Sequence, residues 1–203
     1  MRESTGFVLW MTGLPTSGKK TLANAVSEAL AARGLPTECI ASGTLRKSLL
    51  DNTLGFSKAD RDANCRRNAF AAQILARNGV VAIVSAVSPY RATREAIRAE
   101  IQNFVEVYLS TPKEVCVDRD SQGMWAKALS GKIRGFTGID DPYEAPEAAE
   151  VEIDAATMSV EEGVKRVLTT LEALNLLPSH PGQAPDSEEA FIRERLRSLG
   201  YVE

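Results

Sequence analysis

Gly13, Gly18 and Lys19 in the stretch GLPTSGKKTLA (residues 13–23) stand at the spacing of a phosphate-binding loop. That loop asks for Gly, four residues, Gly-Lys, then Ser or Thr. It works by aiming backbone N–H groups into a concavity at a helix N-terminus, with glycines allowing close approach to phosphate oxygens. The lysine compensates phosphate charge. Gly13, Ser17, Gly18, Lys19, Lys20 and Thr21 are therefore candidate nucleotide contacts, and Lys19 is the candidate catalytic phosphate contact. One position departs from the pattern. Lys20 stands where a magnesium-coordinating hydroxyl belongs, and Thr21 is the alternative hydroxyl. One residue on, a helix turns by about 100°, so Thr21 substitutes only if the loop shifts.

Such a loop needs a strand before it and a helix after it. GFVLWMT (6–12) reads as a buried strand, residues 19–33 as a helix that stops at Gly34, and TECIA (37–41) as a second strand, the order of a βαβ unit. Residues 57–79 read as a long helix capped by Ser57 with Asp60 at its third position. VVAIVSAV (80–87) suits a strand buried on both faces of a parallel sheet. A helix over 88–101, a strand over 104–111, a helix near 112–119, a strand over 151–155 and a helix over 159–174 with Ser159 and Glu162 as a capping box follow. The alternation predicts a three-layer α/β/α fold with a mainly parallel, five-stranded sheet. Residues 120–149, rich in Gly, Pro and charge, break the alternation, and such a stretch in a compact domain is usually functional, often a lid. PSHPGQAPDS (178–187) reads as a linker after a domain of residues 1–177. Residues 188–203 read as an amphipathic helix that packs on its own domain or docks on another protein.

Composition bounds the rest. A chain of 203 residues with 44% hydrophobic and 25% charged residues has material for one domain with a sizeable core. A net charge of −3 gives no reason to expect nucleic acid. Cys39, Cys65 and Cys116 are widely spaced and odd in number, which argues against a disulfide framework and for a reducing cytoplasm. A single histidine, His180, leaves zinc sites and histidine catalysis without support. No segment reads as membrane-spanning.

Four further segments narrow the reading. LGFSKADRDANCRR (54–67), SAVSPYRATREAIR (85–98), FVEVYLSTPKEVCVDRD (104–120) and GKIRGFTGIDDPYEAPE (131–147), in this order, resemble adenylylsulfate kinase, a P-loop NTPase family, over about residues 6–174. The resemblance implies ATP as phosphoryl donor, transfer of its γ-phosphate to the 3′-hydroxyl of adenosine 5′-phosphosulfate (APS), a Mg²⁺ ion and a homodimer. Residue by residue, it implies that Arg46, Arg61 and Asn64 grip the phosphosulfate and adenosine. Phe56 and Phe136 sandwich the substrate adenine, and Ser88 and Pro89 form the substrate-side turn. Lys127, Lys132 and the Thr137 region form the lid, and Arg119 and Asp120 flank the ATP base.

The family pattern breaks at its chemical centre. Its loop reads like GLSGSGKST, against GLPTSGKKT here. Its second strand ends in Asp-Gly-Asp-Asn, where this chain has Ala41, Ser42, Gly43 and Thr44. The usual base is thus replaced by Ala41 and the second carboxylate by Gly43, and Thr21 is the one alternative metal ligand left. Asp140 and Asp141, on the lid, are candidate replacement carboxylates, although the family already carries both there as part of its lid motif. Substrate-side and lid motifs are kept, so purine-nucleotide binding is expected to outlast phosphoryl transfer. The readings are an impaired kinase, a non-catalytic sensor or scaffold that binds adenine nucleotides, and a kinase for a related substrate.

Overall fold

The computed structural model describes residues 6–43, 54–177 and 187–202. Five strands, β1 (Val8–Gly13), β2 (Thr37–Ala41), β3 (Val81–Ser85), β4 (Phe104–Leu109) and β5 (Val151–Ile153), form one sheet in the order β2-β3-β1-β4-β5. Every pairing is parallel, with Leu9 opposite Ile83 on one side and Val105 on the other. The fold class is the expected one, including the strand count.

Alternation along β1 divides the core between two faces. Leu9 and Met11 pack with Leu22, Val26 and Leu30 of α1 (Lys19–Ala32) and with Val167 and Leu171 of α6 (Val160–Ala173). Val8 and Trp10 face the opposite layer, built from Ala69, Ala72 and Ala76 of α2 (Lys58–Arg77) and Ile97 of α3 (Arg91–Glu100). Both predicted capping boxes form. Ser57 and Asp60 exchange side-chain and backbone bonds at α2, and Ser159 and Glu162 do so at α6. The alanines of α2 let that helix lie close to the sheet. A methyl group on Gly6 would meet the carbonyl of Ala76 at 2.4 Å.

All strands run the same way, so their C-terminal ends share one edge. The chain leaves β1 toward one face and β3 toward the other, which opens a crevice at that edge. Two short helices, α4 (Lys113–Asp118) and α5 (Met124–Leu129), border it. Helix α5 lies within the stretch expected to be irregular. Residues 131–149 are otherwise loop, with a single bridge between Thr137 and Asp141. The lid carries its own small core, in which Trp125 meets Phe136 edge to face at 4.9 Å between ring centroids.

Of the two outcomes for the tail, the structure has the intramolecular one. Helix α7 (Ser187–Ser198) packs Ile192 and Leu196 on Ala173 of α6. Tyr201 accepts a bond from Arg98 at 2.9 Å. Leu196 is fully buried. Leu196→Ala is expected to lower stability by about 2–5 kcal/mol or, if less costly, to release α7. Thermal unfolding and trypsin cleavage at Arg193, Arg195 and Arg197 report on both; unchanged melting and unchanged cleavage would show that the tail does not pack here.

Candidate active site

The loop between β1 and α1 curls as the sequence demands. Gly13 has φ +150°, and a Cβ there would fall 2.7 Å from the carbonyl of Leu109. Gly18 has φ +96° and opens α1 without any side-chain cap. The Lys19 ammonium folds back into this curl. It donates to the carbonyls of Gly13 at 3.0 Å and Leu14 at 2.6 Å, and to Ser17 Oγ at 3.1 Å. Burial pushes its pKa down from 10.5 to about 8, opposed by the neighbouring Cys116. The first turn of α1 holds two lysines and no acid, opposite to what the helix dipole prefers. An anion at that end relieves both features.

Thr16 is a residue that the sequence pattern does not single out. It takes φ +60°, costly for a β-branched side chain. Its Oγ1 lies 2.5 Å from the carbonyls of Pro15 and Cys116, and it accepts the Trp125 indole N–H at 2.9 Å. The loop is thereby fastened to α4 and to the small core of the lid. A threonine between the two loop glycines was the available signal.

The loop forms one wall of a cavity of about 1030 Å³. Ser17, Gly18, Lys19, Lys20 and Thr21 line it at the loop end, with Arg119. At the other end stand Ser42, Gly43, Phe56, Arg61, Asn64, Ser88 and Pro89. Most of the residues expected to bind a nucleotide or substrate are thus brought together. Phe56 is 56% exposed, with the Arg61 guanidinium 5.6 Å from its ring centroid, so one cation and one flat aromatic face stand together at this end. Ser88 is buried, adopts φ +44°, and receives the Trp10 indole N–H at 3.0 Å. Arg94 holds the Ser88 carbonyl at 2.6 Å and Glu106 at 2.7 Å, a buried clamp that motif reading leaves out. Cys65 also lines the cavity, and burial raises its pKa, so it stays a thiol.

Several expected contacts lie elsewhere. Phe136 is not on the cavity wall, because its ring is committed to Trp125 inside the lid core. The adenine sandwich with Phe56 is therefore not formed in this structure. Thr137 is buried and bonds to Asp141, while Lys127 and Lys132 are exposed away from the wall. Asp120 caps α5 through the Trp125 N–H at 2.6 Å. Desolvation opposes ionisation there, but the backbone N–H groups of Met124, Trp125, Ala126 and Gln122 together hold its pKa below the usual carboxylate range. Arg61 lines the cavity, yet it also ties α2 to the lid, bonding to the carbonyls of Phe56 and Gly135 and lying 3.3 Å from Asp141. Arg46 falls outside the described residues, as does Thr44.

The two candidate replacement carboxylates are spoken for. Asp140 accepts the N–H groups of Gly135 at 2.8 Å and Phe136 at 2.6 Å. Asp141 pairs with Arg61 and accepts the Tyr90 hydroxyl at 2.8 Å. Neither reaches the cavity wall, and among the described residues that wall contains no Asp or Glu. Ser42 stands between the missing acids and accepts the side-chain amides of Asn64 at 2.6 Å and Asn68 at 3.1 Å. A Mg²⁺ ion bound to nucleotide is normally held by one or two carboxylates or a loop hydroxyl as well as by phosphates. Here the loop position is an ammonium, and among the described residues no group of three His, Cys, Asp or Glu is placed to hold a metal. The donor set does not fit that ion.

A parallel sheet with a glycine-rich loop at the N-terminus of α1 and a basic cleft at its carboxyl edge defines a P-loop nucleotide-binding fold. The chain belongs to the adenylylsulphate kinase family, whose model matches residues 5–154. It is 49% identical over 168 residues to an adenylyl-sulfate kinase of Synechococcus sp. (strain JA-3-3Ab), covering 83% of this chain and 95% of that one. A probable adenylyl-sulfate kinase of Pseudomonas aeruginosa is 46% identical over 83% of this chain and 78% of its own length. Among solved structures, the Mycobacterium tuberculosis APS kinase CysC in complex with AMPPNP and APS superposes with a TM-score of 0.78 at 37% identity, covering 83% of this chain and 98% of that one.

Two outcomes follow from this geometry. A phosphate ligand favours charged Lys19, so nucleotide affinity is expected to fall as pH rises above about 8, approaching tenfold per unit. Stability moves the other way: the unfolded lysine keeps its proton up to about 10.5, so unfolding takes up a proton between the two values and stability rises with pH there. Calorimetric titration and chemical denaturation across pH 7–10 check both signs at about one-unit spacing. Thr16→Val keeps the shape but leaves the Trp125 indole unpaired, and is expected to cost about 1–3 kcal/mol and to change tryptophan emission; wild-type stability and emission would remove the clasp.

Proposed function

We propose that this chain binds ATP and APS in the cavity and is a slow kinase of the adenylylsulfate type. The carrying observation is a single cleft that joins a phosphate loop to an aromatic, arginine-lined end while offering no described carboxylate. In this reading the ATP phosphates lie along residues 13–21 with Lys19 and Lys20 against their charge. Arg119 stands by the ATP base, its guanidinium steadied by the Ala155 carbonyl at 2.7 Å. The second nucleotide stacks on Phe56 and meets Arg61, Asn64, Ser88 and Pro89. Its 3′-oxygen attacks the γ-phosphorus, the bond from that phosphorus to the bridging oxygen of ADP breaks, and the hydroxyl proton passes to water. Mg²⁺, in relatives of this fold class, supplies charge neutralisation to such a transfer; this chain's own share is binding, alignment and the charge of Lys19 and Lys20.

Positioning and electrostatics can act without a base, but general-base help is typically worth about 10²–10⁴-fold. Its loss is why a low rate is expected. The same absence favours a second reading, a non-catalytic protein that binds adenine nucleotides and serves as sensor or scaffold. The homodimer implied by the resemblance is part of either reading; exposed Phe70 and Ile74, one turn apart on α2, support a subunit contact. A cytoplasmic setting is supported by three free cysteines, and among the described residues no helix is long and apolar enough to cross a membrane.

Coupled ADP release with APS and ATP separates the readings. The wild type is expected to turn over well below the roughly 1–100 s⁻¹ usual for kinases. The triple variant Lys20→Ser, Ala41→Asp, Gly43→Asp is expected to be faster by about 10²-fold or more. Among the described residues a Cβ at position 43 meets nothing within 4 Å, so they leave room for the change. Ordinary wild-type turnover would end the impaired and non-catalytic readings alike; activity in the variant alone would leave the non-catalytic one.

A further inference from the structure

The mismatch between the cleft and a divalent ion has a consequence for which form of nucleotide it accepts. Lys19, Lys20 and Arg119 bring positive charge to the described wall, which itself holds no described carboxylate, while the charge of Arg61 is met by Asp141 behind the wall. Described acidic side chains around the cleft have partners: Asp120 at the start of α5, Asp140 on the backbone of 135–136, Asp141 with Arg61 and Tyr90, Asp62 with Lys58 and Thr93, and Asp154 with the Ala156 N–H. Lys20 sits in the first turn of α1 beside Lys19, lining the cavity at the place from which a loop hydroxyl would reach a metal. Lys20 is exposed, yet an ammonium and a Mg²⁺ ion placed at the same few ångströms of the phosphates repel each other. The neighbouring Lys19 is a buried residue, 8% exposed, and adds a second cation at the same end of α1.

We infer that the cavity selects nucleoside di- and triphosphates in their metal-free form, with the Lys20 ammonium replacing the divalent cation. This rests on the nucleotide-binding reading above and adds to it the identity of the countercation. The two-lysine start of α1 then gains its missing anion directly from the phosphates, and Mg²⁺ becomes a competitor, since it withdraws free nucleotide from solution into a form the cleft repels. A conventional metal-requiring loop behaves oppositely, gaining affinity as the ion is added.

Calorimetric titration of the full chain with ADP and with ATP, in EDTA and in MgCl₂ in excess over nucleotide, tests this. The wild type is expected to bind more weakly with Mg²⁺ than with EDTA. Lys20→Ser is expected to lose about tenfold or more in EDTA, the worth of a charge-assisted phosphate contact. It is also expected to reverse the sign, binding more tightly with Mg²⁺. Lys20→Arg, which keeps the charge, retains the wild-type sign, and thermal unfolding of each variant verifies that it is folded. Mn²⁺ spin resonance gives a second readout: adding wild-type protein to Mn²⁺ and nucleotide should raise the free-ion signal, whereas Lys20→Ser should not. Tighter wild-type binding with Mg²⁺, or a fall in free Mn²⁺, overturns the inference while leaving nucleotide binding intact. No heat with either nucleotide in either buffer overturns the nucleotide-binding reading, and this inference with it.

Discussion

The buried Arg94 guanidinium is the contact on which the cleft's far wall depends. Arg94 and Glu106 are both nearly inaccessible, and each donor group of the arginine finds a different part of the chain. One bonds Glu106 on β4, one the carbonyl of Ser88 in the turn after β3, and one the carbonyl of Glu144 in the lid stretch, at 2.7, 2.6 and 2.7 Å. Fixed guanidinium geometry thus holds a strand, a strained turn and a loop at one point. A buried pair of this kind adds little by itself, but removing either partner strands a charge, at a cost of about 3–5 kcal/mol. Arg98 extends the network to Glu150 and to Tyr201 near the end of the tail. The same polar cluster therefore links the substrate-side turn to the docking of α7.

The near wall is held differently. There the backbone itself is the binding surface, and the side chains serve to keep it curled. Lys19 satisfies the Gly13 and Leu14 carbonyls, and Thr16 joins the loop to Cys116 and Trp125. Trp125 also packs on Phe136, so one indole touches both the loop and the lid core. A methyl on Gly138 would fall 2.9 Å from both Leu14 and Trp125, so the lid backbone is seated directly on the loop. The two walls thus meet through the lid, whose Asp141 binds Arg61 and whose next residues lead to Glu144.

Local chemistry was legible in the sequence to different depths. The loop, both capping boxes and all five strands were readable because each is set by neighbours within a few residues: glycine spacing, a Ser-x-x-acid pair, or a run of β-branched residues. Helix α5 was not, since six residues carry too little periodicity to register, and its N-terminus is secured by Asp120, four residues upstream of Met124. Phe136 illustrates the limit of motif reading. Its place in the motif assigns it to the adenine, while Trp125, eleven residues away, supplies the packing partner it uses.

Sequence alone determined that this is a parallel α/β phosphate-loop protein of the adenylylsulfate kinase type with Lys20, Ala41 and Gly43 at its centre, because those features are identities and short spacings. Only the tertiary structure decided what surrounds them. It engaged Asp140 and Asp141 away from the cleft, folded α7 onto α6 and left the described wall with basic side chains but no carboxylate. The reason is physical: whether a carboxylate can serve a site depends on which donors the fold brings to it, and here backbone N–H groups and Arg61 reached those acids first.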